Sequence, residues 1–240
     1  MKVAIFLQAR IASTRYPGKL LLELKGKTIL EHIIERFISI KNYIDEIDVL
    51  VPYNEVDNIF LYLKKYDVNI FGGDPENVLK RFYDANKLFK PDIIVRATAD
   101  NPLVDTYHLL KSVENHIKRK SDYTIYLNLP LGAGVEVINP KAIEMAYNNA
   151  KYKYQFEHVT PYIRENPDIF VITKLEPEEF YKHPELRLTI DEPPDYKLMK
   201  IIYDRLYKGS PIDLKDVITL LQKEPQLKEI NKKVQQIVVP

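Results

Sequence analysis

Cysteine is absent from this chain of 240 residues, which excludes disulfides, thiolate nucleophiles and cysteine-ligated zinc or iron–sulfur centres. A surplus of charge is missing too. The 35 basic and 34 acidic residues leave a formal +1, so no global basic field draws nucleic acid as the main partner. No apolar run approaches the length of a membrane span. The opening KVAIFLQA enters a strand-like pattern without the apolar region and cleavage site of a secretory signal. The expectation is a cytoplasmic protein with no membrane partner. Glycine is scarce at 7 residues, and the abundant Lys, Glu, Ile and Tyr lean towards a heat-adapted composition. What is present, 45% hydrophobic and 29% charged residues, suffices for the core of one ordinary globular domain.

Short β-branched runs alternate with longer helical patterns. VAIFL reads as a buried strand, followed by an irregular basic loop. In TILEHIIERFISI, Ile29, Ile33, Ile34, Phe37 and Ile40 recur at helical spacing. EIDVLV is the next strand, and NEVDNIFLYLKKY a helix with Asn54 as its expected N-cap. VNIF is a third strand ending at Gly72-Gly73, and PENVLKRFYDANKLF a helix with Pro75 in its first turn. PDIIVRATAD is a fourth strand, and TYHLLKSVENHIKRK a further helix. This order predicts a single α/β domain, a mainly parallel sheet flanked by helices. After residue 121, YTIYLN, GVEVIN, IFVITKL and LRLTID read as strands of an antiparallel or mixed extension. PKAIEMAYNNA and PPDYKLMKIIYDRLY read as interleaved helices, and residues 213–240 as a helical tail.

In an open parallel sheet, ligands sit beyond the carboxyl ends of the strands. Three polar loops fall there: residues 8–19, 72–77 and 98–102. In the first, QARIASTRYPGK, Arg10 and Arg15 offer planar forks for phosphate oxygens and Lys19 a mobile charge. Ser13 and Thr14 add hydroxyls, Pro17-Gly18 fits the centre of a type II turn, and backbone amides are available to wrap a triphosphate. The pattern is neither a Walker A loop nor G-x-G-x-x-G. A solvated basic turn is an equally weighted reading of the spacing alone. Asp100, at the tip of VRATAD, suits magnesium, which takes few protein carboxylates together with phosphate oxygens and water. It also suits a turn cap. Asp191, in RLTIDEPPDY, has the same pair of readings: metal ligand, or N-cap of the following helix with Asp195 as a further candidate.

Taken together, QARIASTRYPGKLLLELKGKTILEHIIERF, GDPENVLKRFYDA, VRATADNPLVD, EHVTPYI and RLTIDEPPDYKLMKIIY resemble the spore-coat polysaccharide cytidylyltransferase family. That family is similar to the synthetases of CMP-sialic acid and CMP-deoxy-manno-octulosonate. The resemblance runs to about residue 207, and its first motif resembles R-x-x-S-T-R-x-P-x-K. It implies a nucleotide-diphospho-sugar-transferase (GT-A-like) fold and Mg2+-dependent transfer of a cytidylyl group from CTP to an acidic sugar or related acceptor. Pyrophosphate is the other product. By the same resemblance, Arg10, Ser13, Arg15 and Lys19 hold the CTP phosphates, with Arg10, Arg15, Lys19 and Asp100 catalytic. Arg81 lies near the base, Asp100 and Asp191 hold metal, and Glu136 and His158 belong to the acceptor side. A homodimer is implied as well. The chain differs from common family members at Lys80, Leu131 and Gly134. A non-sugar phosphorylated acceptor, or nucleotide binding without turnover, are the alternative functions.

Overall fold

The computed structural model describes residues 1–13 and 15–236. Its order is β1 (Val3–Gln8), β2 (Glu23–Leu24), β3 (Lys27–Thr28), α1 (Ile29–Ile38), β4 (Glu46–Pro52), α2 (Val56–Leu63), β5 (Asn69–Gly73), α3 (Val78–Phe89), β6 (Ile93–Thr98) and α4 (Thr106–Arg119). There follow β7 (Tyr123–Tyr126), β8 (Glu136–Ile138), α5 (Pro140–Asn149), α6 (Lys153–His158), α7 (Pro161–Glu165), β9 (Ile172–Leu175), α8 (Pro193–Leu206) and α9 (Leu214–Lys223). The main sheet runs β5-β4-β1-β6-β8-β7-β9. Strands β5, β4, β1 and β6 are mutually parallel. Among the described strands of this sheet β8 alone runs against its neighbours, and β7 and β9 pair in parallel, so the expected mixed extension is present.

Both faces of the sheet are buried, as a parallel sheet flanked by crossover helices requires. The strand period of two divides β1 cleanly. Val3, Ile5 and Leu7 face a layer built with Ile29, Ile33 and Phe37 of α1 and Ile202 of α8. Ala4 and Phe6 face the opposite layer, with Leu79 and Phe82 of α3 and Ile143 of α5. Helix α1 begins with a capping box: the Glu31 amide donates to Thr28 Oγ1, and the Thr28 amide donates to Glu31 Oε2. Among the described residues, no helix is long and apolar enough to cross a membrane.

Four local expectations need correction. Asn54 caps nothing: Tyr53–Glu55 form a short 3-10 turn and α2 starts at Val56. Pro75 lies before α3, whose N-cap is Asn77, with the Lys80 amide donating to its side chain at 2.8 Å. The segment LRLTID is not a strand of the sheet. Its amides go to loop carbonyls instead, Leu188 to Leu131 at 2.7 Å and Ile190 to Asp100 at 2.9 Å. Nor does Asp191 cap α8. The N-cap is Glu192, and both the Asp191 and Glu192 amides donate to Asp195.

Candidate active site

Strand order reverses at β1, which has β4 on one side and β6 on the other. The loops leaving the carboxyl ends of β1 and β6 therefore diverge, and a crevice opens between them. A cavity of about 610 Å³ fills it. Arg10, Ser13, Arg15, Lys19, Asp100, Asp191 and His158 all line this cavity. Loop 72–77 does not contribute to its lining.

The first loop is fastened by its own backbone. Lys19 N donates to Tyr16 O at 3.3 Å, and Gly18 sits at φ 71°, ψ 7°, the third position of a type II turn where a side chain would be strained. Glu55 accepts the amides of Ile11 and Ala12 at 2.5 and 3.0 Å, while Ser13 and Gly18 donate to Ile11 O. Those amides are spent inside the protein. Fewer amides are thereby left for a backbone cradle, while among the side chains Arg10 and Arg15 are exposed and Ser13 is half-buried at the cavity wall. Thr14 lies outside the described residues.

Lys19 is only 7% exposed, which rules out the solvated-turn reading for this residue. Its ammonium donates to Asp100 Oδ2 at 2.9 Å, Asp191 Oδ1 at 2.9 Å and the Ile190 carbonyl at 2.7 Å. Arg15 also pairs with Asp191 Oδ1 at 2.8 Å, and Arg187 bridges Asp191 Oδ2 and Asp195. Burial opposes ionisation of Asp191, but Lys19, Arg15 and Arg187 outweigh it and hold the carboxyl below the ordinary range. Three cations and three carboxylates thus balance (Lys19, Arg15 and Arg187 against Asp100, Asp191 and Asp195). Asp100 is further oriented by Thr98, whose hydroxyl donates to Oδ1 at 2.8 Å. Two carboxylates, one in the loop after β6 and one in the loop before α8, converge on the Lys19 ammonium, a donor set that also suits magnesium completed by phosphate oxygens and water. Among the described residues no group of three or more His, Cys, Asp or Glu side chains could hold a metal.

A smaller compartment of about 250 Å³ adjoins the cavity and shares Arg96, Thr98, Asn101 and Leu131 with it. Glu136 belongs here rather than to the main cavity. Arg96 pairs with Glu136 Oε2, and the Tyr123 and Thr160 hydroxyls donate to Oε1. Burial disfavours the Glu136 charge, yet Arg96 and the two hydroxyls hold the group ionised below its ordinary range. Gly132 closes the compartment's far wall at φ 94°, where a Cβ would sit 2.8 Å from the Leu188 carbonyl. Arg81 is not brought to either space. It is 1% exposed beneath the loop after β5, donating to the Asp74 and Pro75 carbonyls, and burial lowers its pKa to about 10.

A family model described as cytidylyltransferase matches residues 4–233. The chain belongs to the cytidylyltransferase family. The spore coat polysaccharide biosynthesis protein SpsF of Bacillus subtilis is 35% identical over 228 residues, covering 93% of this cytidylyltransferase and 95% of that protein. A cytidylyltransferase structure from Leptospira borgpetersenii superposes over the whole of both chains with a TM-score of 0.87 at 29% identity. The CMP:2-keto-3-deoxy-manno-octonic acid synthetase structure complexed with CTP shares the fold, with a TM-score of 0.67 at 14% identity over 85% of this chain and 99% of that one.

Of three further residues of this cytidylyltransferase's site, only Arg96 carries a local signal in the sequence. Glu55 fastens the first loop from a position 44 residues away, Arg187 braces Asp191, and Arg96 sits mid-strand in β6 joining cavity to compartment. An arginine inside an otherwise apolar strand was the one visible sign, since such a charge needs a buried partner.

Proposed function

We propose that the chain transfers a cytidylyl group from CTP to an acidic sugar or related acceptor, releasing pyrophosphate, in the supply of surface-polysaccharide precursors. The observation that carries this reading is the grouping of Arg10, Arg15, Lys19, Asp100 and Asp191 around one cavity at the switch point of the sheet. Family membership supports nucleotidyl transfer. The choice of CTP and an acidic sugar takes its support from the synthetase solved with CTP, and the polysaccharide role from SpsF. We also propose a cytoplasmic homodimer.

The chemistry needs little covalent help from the protein. An acceptor oxygen attacks the α-phosphorus in line, the bond to the bridging oxygen breaks, and pyrophosphate departs with the electron pair. Catalysis is then mostly positioning and charge stabilisation. Arg10 and Arg15 face the cavity and would compensate charge on the leaving group. Lys19 would turn from its carboxylate partners towards the phosphates as they enter. Magnesium held by Asp100 and Asp191 would supply Lewis-acid stabilisation of the phosphate oxygens. His158 faces the cavity, and burial lowers its pKa, so a neutral imidazole is available near pH 7 to accept the acceptor's hydrogen bond.

A phosphorylated non-sugar acceptor is the second reading, favoured by Arg10, which is exposed and has no ion-pair partner among the described residues. Pyrophosphate release from CTP and magnesium, measured against a panel of acidic sugars and phosphorylated metabolites, separates the readings. Release with acidic sugars supports the first, and release with phosphorylated metabolites alone supports the second. A folded protein that binds CTP and releases pyrophosphate with none of them would leave nucleotide binding without turnover.

A further inference from the structure

The segment EHVTPYI carries the most unusual backbone near the site. Val159 lies at φ 70°, ψ −55°, and the Thr160 amide donates to the His158 carbonyl two residues back at 2.8 Å. This is the γ-turn of positive φ, a rare and strained conformation, and a β-branched residue in it is an outlier. The next residue is strained independently. Thr160 precedes Pro161 yet sits at φ −97°, ψ −9°, in the helical region that a following proline disfavours. Two successive unfavourable residues persist only where the surroundings over-determine them.

The surroundings do so on both sides. The Val159 isopropyl group is fully buried in the layer containing Tyr123, Ile138, Ile163 and Phe170. His158, immediately before it, ends α6 and lines the main cavity. Thr160, immediately after it, donates to Glu136 Oε1 at 2.8 Å and so joins the Arg96 pair that borders both cavity and compartment. A glycine would reach this backbone conformation without strain. A buried valine reaches it only because its side chain is held in the core.

We propose that Val159 is a positioning residue: its strained turn, clamped by the core, aims the His158 imidazole into the cavity while seating Thr160 on Glu136. This rests on the nucleotidyl-transfer reading for its consequence in turnover, though not for the aiming of His158. In-line transfer depends on near-attack geometry, and a displacement of about 1 Å costs on the order of 10²-fold. The charged groups that bear on His158 are Glu157, Arg96, Arg164 and Arg10, and freeing the imidazole changes its balance with all of them.

The experiment compares wild type, Val159→Gly, His158→Ala and the double variant. Proton NMR follows the imidazole C2–H resonances with pH, His158 being assigned as the signal lost in His158→Ala. The expected result is a wild-type His158 titrating below the ordinary histidine range, and a Val159→Gly signal moving back towards it while the other four histidines stay put. With an acceptor from the panel, Val159→Gly should lower kcat on the order of 10²-fold with CTP affinity nearly unchanged. It should cost clearly less in the His158→Ala background, the remainder being what the seating of Thr160 on Glu136 contributes. An unchanged His158 titration in folded Val159→Gly overturns the proposal, as does an equal kcat loss with or without His158. Should the glycine variant fail to fold, Val159→Ala, which keeps the strain but removes the anchor, is read the same way. If no acceptor supports turnover, the nucleotidyl-transfer reading fails, and the titration still decides whether Val159 positions His158.

Discussion

Replacing Lys19 by methionine keeps most of the buried stem and removes only the ammonium. That group makes three hydrogen bonds of 2.7–2.9 Å, two of them to carboxylates, at a side chain 8% exposed. Breaking one partner out of a buried ion pair costs roughly 3–5 kcal/mol, because the remaining charge stays desolvated. Asp191 keeps Arg15 and Arg187, and Asp100 is 26% exposed, so the lower end, about 3 kcal/mol, is the expected loss. Urea denaturation of both proteins at neutral pH measures it. Magnesium should narrow the gap, since the vacated space between Asp100 and Asp191 then accepts a divalent cation: the melting temperature of Lys19→Met should rise more with millimolar magnesium than that of wild type. Turnover should fall roughly 10²–10³-fold. A stability change below ~0.5 kcal/mol, the size typical of an exposed side chain, would refute the reasoning.

Glu55→Gln should leave the fold intact but loosen the first loop, raising the Kd for CTP and speeding hydrogen exchange at Ile11 and Ala12. Unchanged exchange there would show that the carboxylate does not fasten the loop. Burial raises the Asp48 pKa from 3.8 to about 6, so the folded state holds that proton more tightly than the unfolded chain. The resulting penalty is absent below about pH 3.8, grows as pH rises and is complete above about 6. Asp48→Asn should therefore stabilise the protein at pH 7.5 by up to ~3 kcal/mol, with the gain fading in acid. Equal gains at pH 7.5 and pH 4 would contradict it. A homodimer is expected by light scattering at micromolar concentration, and a monomer mass would count against it.

The first loop was legible because its information is local. Two arginines, a lysine and a Pro-Gly turn lie within eleven residues of one strand end, and the alternation of strands with helices put that loop at the carboxyl edge of a parallel sheet together with the loop after β6. The role of LRLTID was not legible. Leu186, Leu188 and Ile190 alternate like a strand and are buried like one. Their partners, however, are loop residues 131 and 100, which no pattern reveals. Asn54 and Pro75 misled for a related reason, since helix starts depend on where the preceding strand releases the chain. The second compartment depends on pairings across 24 to 40 residues, Glu136 with Thr160 and with Arg96, and only the fold brings them together.

The central claim is that the cavity between β1 and β6 is a cytidine triphosphate site, and calorimetry with the four nucleoside triphosphates in magnesium addresses it most directly. CTP should bind at least tenfold tighter than UTP, ATP or GTP, a difference of about 1.4 kcal/mol. In the same titration, Arg10→Ala should weaken CTP without altering the protein's melting temperature, because Arg10 is exposed in the unliganded protein. Comparable affinities for all four triphosphates, or CTP binding indifferent to Arg10, would contradict the account.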